Sequence, residues 1–239
     1  MVRSIRLYPR LYLAISFLTF AILGAVHSAS AQTSVAASVY GAFNGTTTGN
    51  GTIQSPANQA GGLIELRHIS NPILGFEGTY SFNRDNQTYS NPVVYCPVSP
   101  LGGCSSSTES VSANAHELTV DWVPSLHIAN LRPFGVLGVG LLLDVPASSQ
   151  ATVTTTSYGC PECVSSGPTI TTSASPTQTS TKAVYVYGAG LDWGLLPHLG
   201  LRLQYRGNLY SAPNVTKLFS STGTFTHTAE PMIGAYFNF

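Results

Sequence analysis

The stretch LGLRLQYRGN, residues 199–208, decides the fold. Every second residue, Leu199, Leu201, Leu203, Tyr205 and Gly207, is apolar or glycine, while the residues between them, Gly200, Arg202, Gln204, Arg206 and Asn208, are polar or glycine. Side chains alternate across a strand, so this period of two gives one apolar and one polar face. The segment LGFEGTYSFN, residues 74–83, repeats the pattern, with Leu74, Phe76, Gly78, Tyr80 and Phe82 against Gly75, Glu77, Thr79, Ser81 and Asn83. A soluble sandwich also alternates, but its wet surface carries charge. Here only 8% of the chain is charged and 43% is hydrophobic, against about 25% charged in ordinary soluble domains. Lipid outside and polar side chains inside account for both facts.

Outward from these two runs, six more segments read as strands, at 34–43, 61–70, 115–123, 131–143, 183–193 and 228–239. The run LRPFGVLGVGLLLD is apolar on both faces and glycine-rich, so its sidedness is not readable from alternation. The connections fall into two classes. Ser70 to Ile73, Pro124 to Asn130 and Gly194 to His198 are short, and each holds a proline. Asn44 to Ala60, Arg84 to Asn114, Asp144 to Lys182 and Tyr210 to His227 are long. This alternation predicts an all-β fold: a closed antiparallel transmembrane β-barrel of about eight strands, with short periplasmic turns and long extracellular loops. The topology then sorts the aromatic residues into two girdles. Trp122, Phe134, Trp193, Phe237 and Phe239 are expected near the periplasmic interface, and Phe43, Tyr80, Phe82, Tyr185 and Tyr205 near the outer one. Asp121-Trp122 and Asp192-Trp193 form a weak internal repeat, each with an inward carboxylate and an outward tryptophan.

The first residues carry Arg3, Arg6 and Arg10, then an apolar run from Leu11 to Val26, then Ala29-Ser30-Ala31. That is the pattern of a cleaved signal peptide spanning residues 1–31, which leaves 32–239 as the barrel domain. The apolar run is shorter than the roughly 20 residues a spanning helix needs. Residues 32–239 hold seven Lys and Arg against ten Asp and Glu, a net charge of −3, and no basic patch that would suggest nucleic acid as a partner.

The last run, EPMIGAYFNF (230–239), places Pro231, Ile233, Ala235, Phe237 and Phe239 on one face. With Gly234, Phe237 and the terminal Phe239, it resembles the signal read by the bacterial barrel-assembly machinery, departing from it at Met232, where a polar residue is usual. Together with the strand count and loop pattern, the chain resembles the OmpA-like or OmpX-like outer-membrane β-barrel family. The resemblance implies export through the periplasm to the bacterial outer membrane, with outer-membrane lipid and the assembly machinery as partners. It implies no catalytic signature and no cofactor, and with the sequence ending at Phe239 no cell-wall-tethering domain is expected.

Nine charges fall on inward positions: Glu65, Arg67, Glu77, Glu117, Asp121, Asp192, Arg202, Arg206 and Glu230. Eight strands enclose just enough room for side chains, so these are expected to form a lumenal ion network. A gate or proton path is the sharper alternative. Cys96, Cys104, Cys160 and Cys163 all fall in long loops, where export favours disulfides; the sequence does not choose among the three connectivities. The Cys160-Pro161-Glu162-Cys163 spacing lacks the helix start of a redox motif and the further ligands of a zinc site. His116 beside Glu117, and His227 with Thr228 and Glu230, are the only candidates for a lipid-modifying hydrolase, and neither forms a nucleophile-base-orienter set in sequence. The third loop has 18 Ser or Thr in 39 residues, with Pro146, Pro161, Pro168 and Pro176, and reads as a mobile solvated surface loop suited to recognition. The function expected is a small non-enzymatic barrel with an envelope-structural role and loops for interaction or adhesion with a surface ligand. A small channel and a lipid A-modifying enzyme are the alternatives.

Overall fold

The computed structural model describes residues 31–91, 104–158 and 168–239. The expected signal segment lies outside them except for its last residue, Ala31. So do Cys96, Cys160 and Cys163, while of Cys104 only the backbone position at the start of a strand is described.

Eight long strands make the wall: β1 (Gln32–Asn44), β4 (Gln59–Ile69), β5 (Gly75–Ser90), β6 (Cys104–Trp122), β7 (Leu131–Pro146), β10 (Ser180–Gly194), β11 (Leu199–Ser211) and β12 (Phe225–Asn238). Every neighbouring pair is antiparallel, in the order β5-β4-β1-β12-β11-β10-β7-β6, and a β5–β6 ladder from Phe76↔Trp122 to Ser90↔Thr108 closes the ring. Closure satisfies every wall strand edge to edge, which is what lets a sheet stand in lipid. The outward positions form an apolar belt around the wall. Val39 (63% exposed), Leu118, Val139, Leu203 and Ile233 all point out, a surface that water would not tolerate at this extent.

The two interface girdles hold with one correction. Trp122, Trp193, Phe237 and Phe239 face out at the periplasmic end, and Phe43, Tyr80, Phe82, Tyr185 and Tyr205 at the other. Phe134 does not belong to a girdle: it points into the lumen at 5% exposure, with the Arg67 guanidinium 4.0 Å from its ring centre. Strand β7 fixes its sidedness accordingly. Phe134, Val136, Gly138, Gly140 and Leu142 face in, while Leu137, Val139, Leu141 and Leu143 face out. A Cβ at Gly190 on the adjoining β10 would stand 2.8 Å from Phe134 Cε2, so that glycine makes room for the ring.

The long connections depart from expectation. The first contains a hairpin of β2 (Thr47–Gly49) and β3 (Thr52–Pro56), with Asn50 and Gly51 at positive φ in its turn. The third, read as an irregular mobile loop, instead folds β8 (Gln150–Tyr158) against β9 (Thr169–Pro176). Above Asn83, β5 leaves β4 and pairs with β3; above Ala113, β6 leaves β7 and pairs with β8. The outer end is therefore a sheet in the order β2-β3-β5-β6-β8-β9. A tilted strand crosses the bilayer in about 9–11 residues, so the outer part of the 16-residue β5 stands beyond the membrane. Threonine is β-branched and suits a strand even where both faces are wet, which explains how so polar a segment pairs.

At the periplasmic end the turns are tight. Asn71 Oδ1 accepts from the backbone N–H of Ile73 and of Leu74, both at 2.9 Å, and Trp122 Nε1 donates to the Ile73 carbonyl at 2.6 Å.

Candidate functional site: the lumen and its outer mouth

Alternation puts polar side chains of β4, β5, β6, β11 and β12 into one column, facing the inner faces of β7 and β10, which are largely apolar but carry Asp144 and Asp192. The column is tiered. Nearest the periplasm, Arg202, with no exposed surface, donates through Nε to Asp192 at 2.7 Å, through Nη2 to Asp192 at 3.0 Å and through Nη1 to Glu65 at 2.7 Å. Arg67 bonds Glu77 through Nε and Asp192 through Nη1 at 3.2 Å. Here two guanidiniums serve three carboxylates, all buried. In the middle tier Arg206 Nη2 bonds Glu117 at 2.7 Å and Thr119 at 2.9 Å, and Asn208 Nδ2 bonds the other Glu117 oxygen at 3.0 Å. Asp121 Oδ2 takes its hydrogen bonds from Thr119 and Thr79, at 3.0 and 3.3 Å. Asp121 and Asp192 are both buried, away from the wet rim.

All nine inward charges named from sequence thus lie in one lumen. Seven of them make ion pairs; Asp121 holds hydroxyls and Glu230 has no ionic partner within 4 Å. Sequence reasoning missed a third tier. Asp85 on β5 and Asp144 on β7 continue the same inward faces one step beyond where the strands were expected to stop. Extending the alternation through Asn83 and Leu142 was the signal that could have found them.

Above that tier the mouth is crossed by residues 212–224, the connection between β11 and β12. Its Val215 and Phe219 are buried against Tyr89, Val111, Ala113 and Ala151 of the outer sheet. The Pro213 carbonyl accepts from Gln54 Nε2 at 2.8 Å and from the Tyr89 hydroxyl at 3.2 Å; Thr216 Oγ1 donates to Glu109; Gln178 Nε2 reaches the Asn214 and Thr216 carbonyls at 3.3 and 2.9 Å. In a ring of eight, β5 stands diametrically opposite β11. The connection is therefore a strap from one wall to the other.

The hydrolase candidates do not assemble. Thr228 points inward, where its Oγ1 meets the Tyr210 hydroxyl at 2.8 Å and Asn44 Oδ1 at 2.7 Å. His227 points outward to the Tyr187 hydroxyl at 2.7 Å, and His116 to the Tyr80 hydroxyl at 2.8 Å with Phe82 beside it. Both histidines are girdle residues, on the opposite side of the wall from the lumenal acids.

Gly234 faces inward on β12 with its neighbour β1 so close that a Cβ would sit 2.8 Å from Ser38 Cα. Phe239 lies just past β12, its N–H donating to the Thr33 carbonyl at 3.0 Å and its ring edge-on to Phe237.

A closed antiparallel ring of eight strands with an apolar belt, two aromatic girdles and a polar filled lumen defines an outer-membrane β-barrel protein. Residues 16–226 match the outer membrane protein beta-barrel domain, and the chain belongs to that family. Among solved structures it is similar to OprG from Pseudomonas aeruginosa (12% identity, TM-score 0.48, covering 90% of this chain and 99% of OprG). It is also similar to Ail, the attachment invasion locus protein of Yersinia pestis (14%, TM-score 0.38, 88% and 100%), and to Neisserial surface protein A (14%, TM-score 0.38, 88% and 100%). No curated protein sequence matches the chain.

Proposed function

We propose that this is a non-conducting, non-enzymatic barrel of the bacterial outer membrane, exported behind a cleaved signal and assembled through its terminal strand. It strengthens the envelope and presents its outer sheet to surface ligands. The observation that carries this reading is the strap over a packed lumen. Ion pairs fill the periplasmic half, and Val215 and Phe219 close the outer mouth. A continuous water path would be needed for conduction, and eight strands leave only enough width for side chains. The outer sheet supports the presenting role. It projects hydroxyl-bearing strands, and β9 is exposed on nearly all its positions, Ile170 at 66%.

Purified protein, refolded and checked by the gel shift that an intact barrel gives between unboiled and boiled samples, tests the first half in planar bilayers. No stepwise current is expected; reproducible unitary currents overturn the non-conducting reading. The second half is tested in cells displaying equal surface amounts of the full chain or of a chain lacking residues 148–177. Attachment to a defined surface should fall on deletion, and equal attachment removes the outer sheet as the binding element. Mass spectrometry of lipid A with and without expression should give the same acyl pattern; an altered pattern would establish an enzyme.

A further inference from the structure

Every Asp and Glu among the described residues is buried, and almost every base is turned inward with them. Arg67, Arg202 and Arg206 lie in the lumen, Arg132 and Lys182 occupy inward positions of β7 and β10, and Lys217 belongs to the strap. Arg84 of β5 is the exception. It is exposed on the outward face, and among the described residues of the wall it is the one Asp, Glu, Lys or Arg there. Its neighbours on that face run in order of polarity. Tyr80 and Phe82 precede it along β5 and Asn86 follows, while Leu118, His116 and Asn114 stand opposite Tyr80, Phe82 and Arg84 on β6. At a rise of about 3.3 Å per residue and a tilt of about 40°, Arg84 stands about 5 Å farther from the bilayer centre than the girdle residue Phe82. That is the depth of the polar layer, which adds roughly 5–8 Å to each side of the hydrocarbon core. Donors meet here without an anion. His116 is the diagonal neighbour of Arg84, within reach of a long side chain. With the Tyr80 hydroxyl on its Nδ1 at 2.8 Å, its Nε2 is left, and Asn86 Oδ1 accepts from Ser112 Oγ at 2.6 Å, which leaves its amide N–H.

We propose that this corner of the wall docks one phosphorylated lipid of the outer leaflet, lipid A in a bacterial outer membrane, with its phosphate on Arg84. A guanidinium fork pairs with phosphate oxygens through two parallel hydrogen bonds. His116 donates from the side, and no described acid on the outward face opposes the negative charge. The carboxamides of Asn86 and Asn114 suit the hydroxyls of a sugar headgroup. Below the phosphate the surface turns apolar in the direction an acyl chain must take, past Tyr80 and Leu118. Gly78, between Phe76 and Tyr80 on that face, meets nothing within 4 Å of an added Cβ, so a notch stands open along the path. The proposal rests on the outer-membrane orientation of the barrel and gives its envelope role a partner, since a lipid held at one headgroup is anchored to the wall.

The test is native mass spectrometry of the refolded full chain in a nonionic detergent, with lipid A, lipid A stripped of its phosphates, or inorganic phosphate as the probe. The unboiled gel band reports the barrel itself, so a barrel that gives the shift but retains no lipid A overturns this site and leaves the fold standing. One lipid A should be retained per barrel, and the dephosphorylated lipid about tenfold less tightly. Arg84→Gln should bring lipid A down to the level of the dephosphorylated probe, and Arg84→Lys should recover part of the difference. Both variants change an exposed side chain and should keep the gel shift. Lys217→Gln removes a charge from the strap and should leave retention unchanged. Equal retention of both lipids by the unaltered chain, or a preference for lipid A that survives Arg84→Gln, overturns the site. Inorganic phosphate should not displace the lipid; displacement at equal concentration overturns the assignment to a lipid.

Discussion

Replacing Arg202 by methionine should cost the barrel a large share of its stability, and the geometry says where the cost arises. Arg202 is fully buried and bonds Asp192 twice and Glu65 once. With Arg202 gone, Asp192 retains Arg67 at 3.2 Å and Glu77 retains Arg67 as well, but Glu65 loses its ionic partner, and its other oxygen is already unpaired. Removing one partner of a buried ion pair costs about 3–5 kcal/mol. At a urea slope of about 2 kcal/mol per M, a mid-range loss lowers the unfolding midpoint by about 2 M. The two tryptophans, Trp122 and Trp193, sit in the periplasmic girdle and report unfolding from vesicles by fluorescence. Because the penalty is concentrated on Glu65, adding Glu65→Gln to Arg202→Met should recover part of it, with a coupling of about 1–3 kcal/mol in the double-mutant cycle. A wild-type midpoint for Arg202→Met, or a double variant no better than the single one, would refute the claim that this tier is held by charge pairing.

Gly190→Val should crowd the Phe134 ring, whose Cζ is the atom nearest an added Cβ, and the Leu203 carbonyl oxygen 2.8 Å from it; overpacking of this kind costs about 1–3 kcal/mol, and Phe134→Leu in the same chain should relieve it in the same urea assay. Deleting Phe239 should leave refolding in detergent nearly unchanged, because its described contacts are a terminal hydrogen bond and one ring edge, yet abolish outer-membrane assembly in cells; normal assembly refutes the terminal signal. Thiol titration of exported, denatured protein should find no free cysteine until a reductant is added, since an oxidising compartment favours disulfides; reactive thiols without reductant refute that expectation.

The wall was legible because a membrane barrel obeys a strict rule on both faces. In LGLRLQYRGN the apolar residues can only face lipid, and Arg202 and Arg206 can only face in, so period two assigns the lumen residue by residue. The rule fails in three places, each for a physical reason. Strand β7 carries apolar residues on both faces because one side of the lumen is itself apolar, which hid the inward turn of Phe134 beneath Arg67. Strand β9 stands in water on nearly all its positions, and β8 buries only Ala151 and Val153 among threonines, so there is too little alternation to read although the two strands pair. The strap was missed because it is shaped by distant contacts. Gln54, Tyr89 and Gln178 bind its carbonyls across the mouth, and nothing local to residues 212–224 announces them.

The scarcity of charge that suggested a membrane protein also explains how charge is used within it. The outer face can hold almost none, so acids and bases are driven into the lumen or beyond the membrane, where each must find a partner in a space too narrow for bulk water. The periplasmic tier meets that demand with two arginines against Glu65, Glu77 and Asp192, and aromatic faces from Phe134 and Tyr236 lie against the guanidiniums. The outer tier does not meet it, with Asp85, Asp144 and Glu230 lacking any cation within ion-pair distance. A barrel whose lumen served only to be filled would gain by replacing those acids with apolar residues, as β7 and β10 do on the same level with Leu142 and Val184. These unpaired acids line one small cavity of about 20 Å³, between the Arg206 tier and the strap.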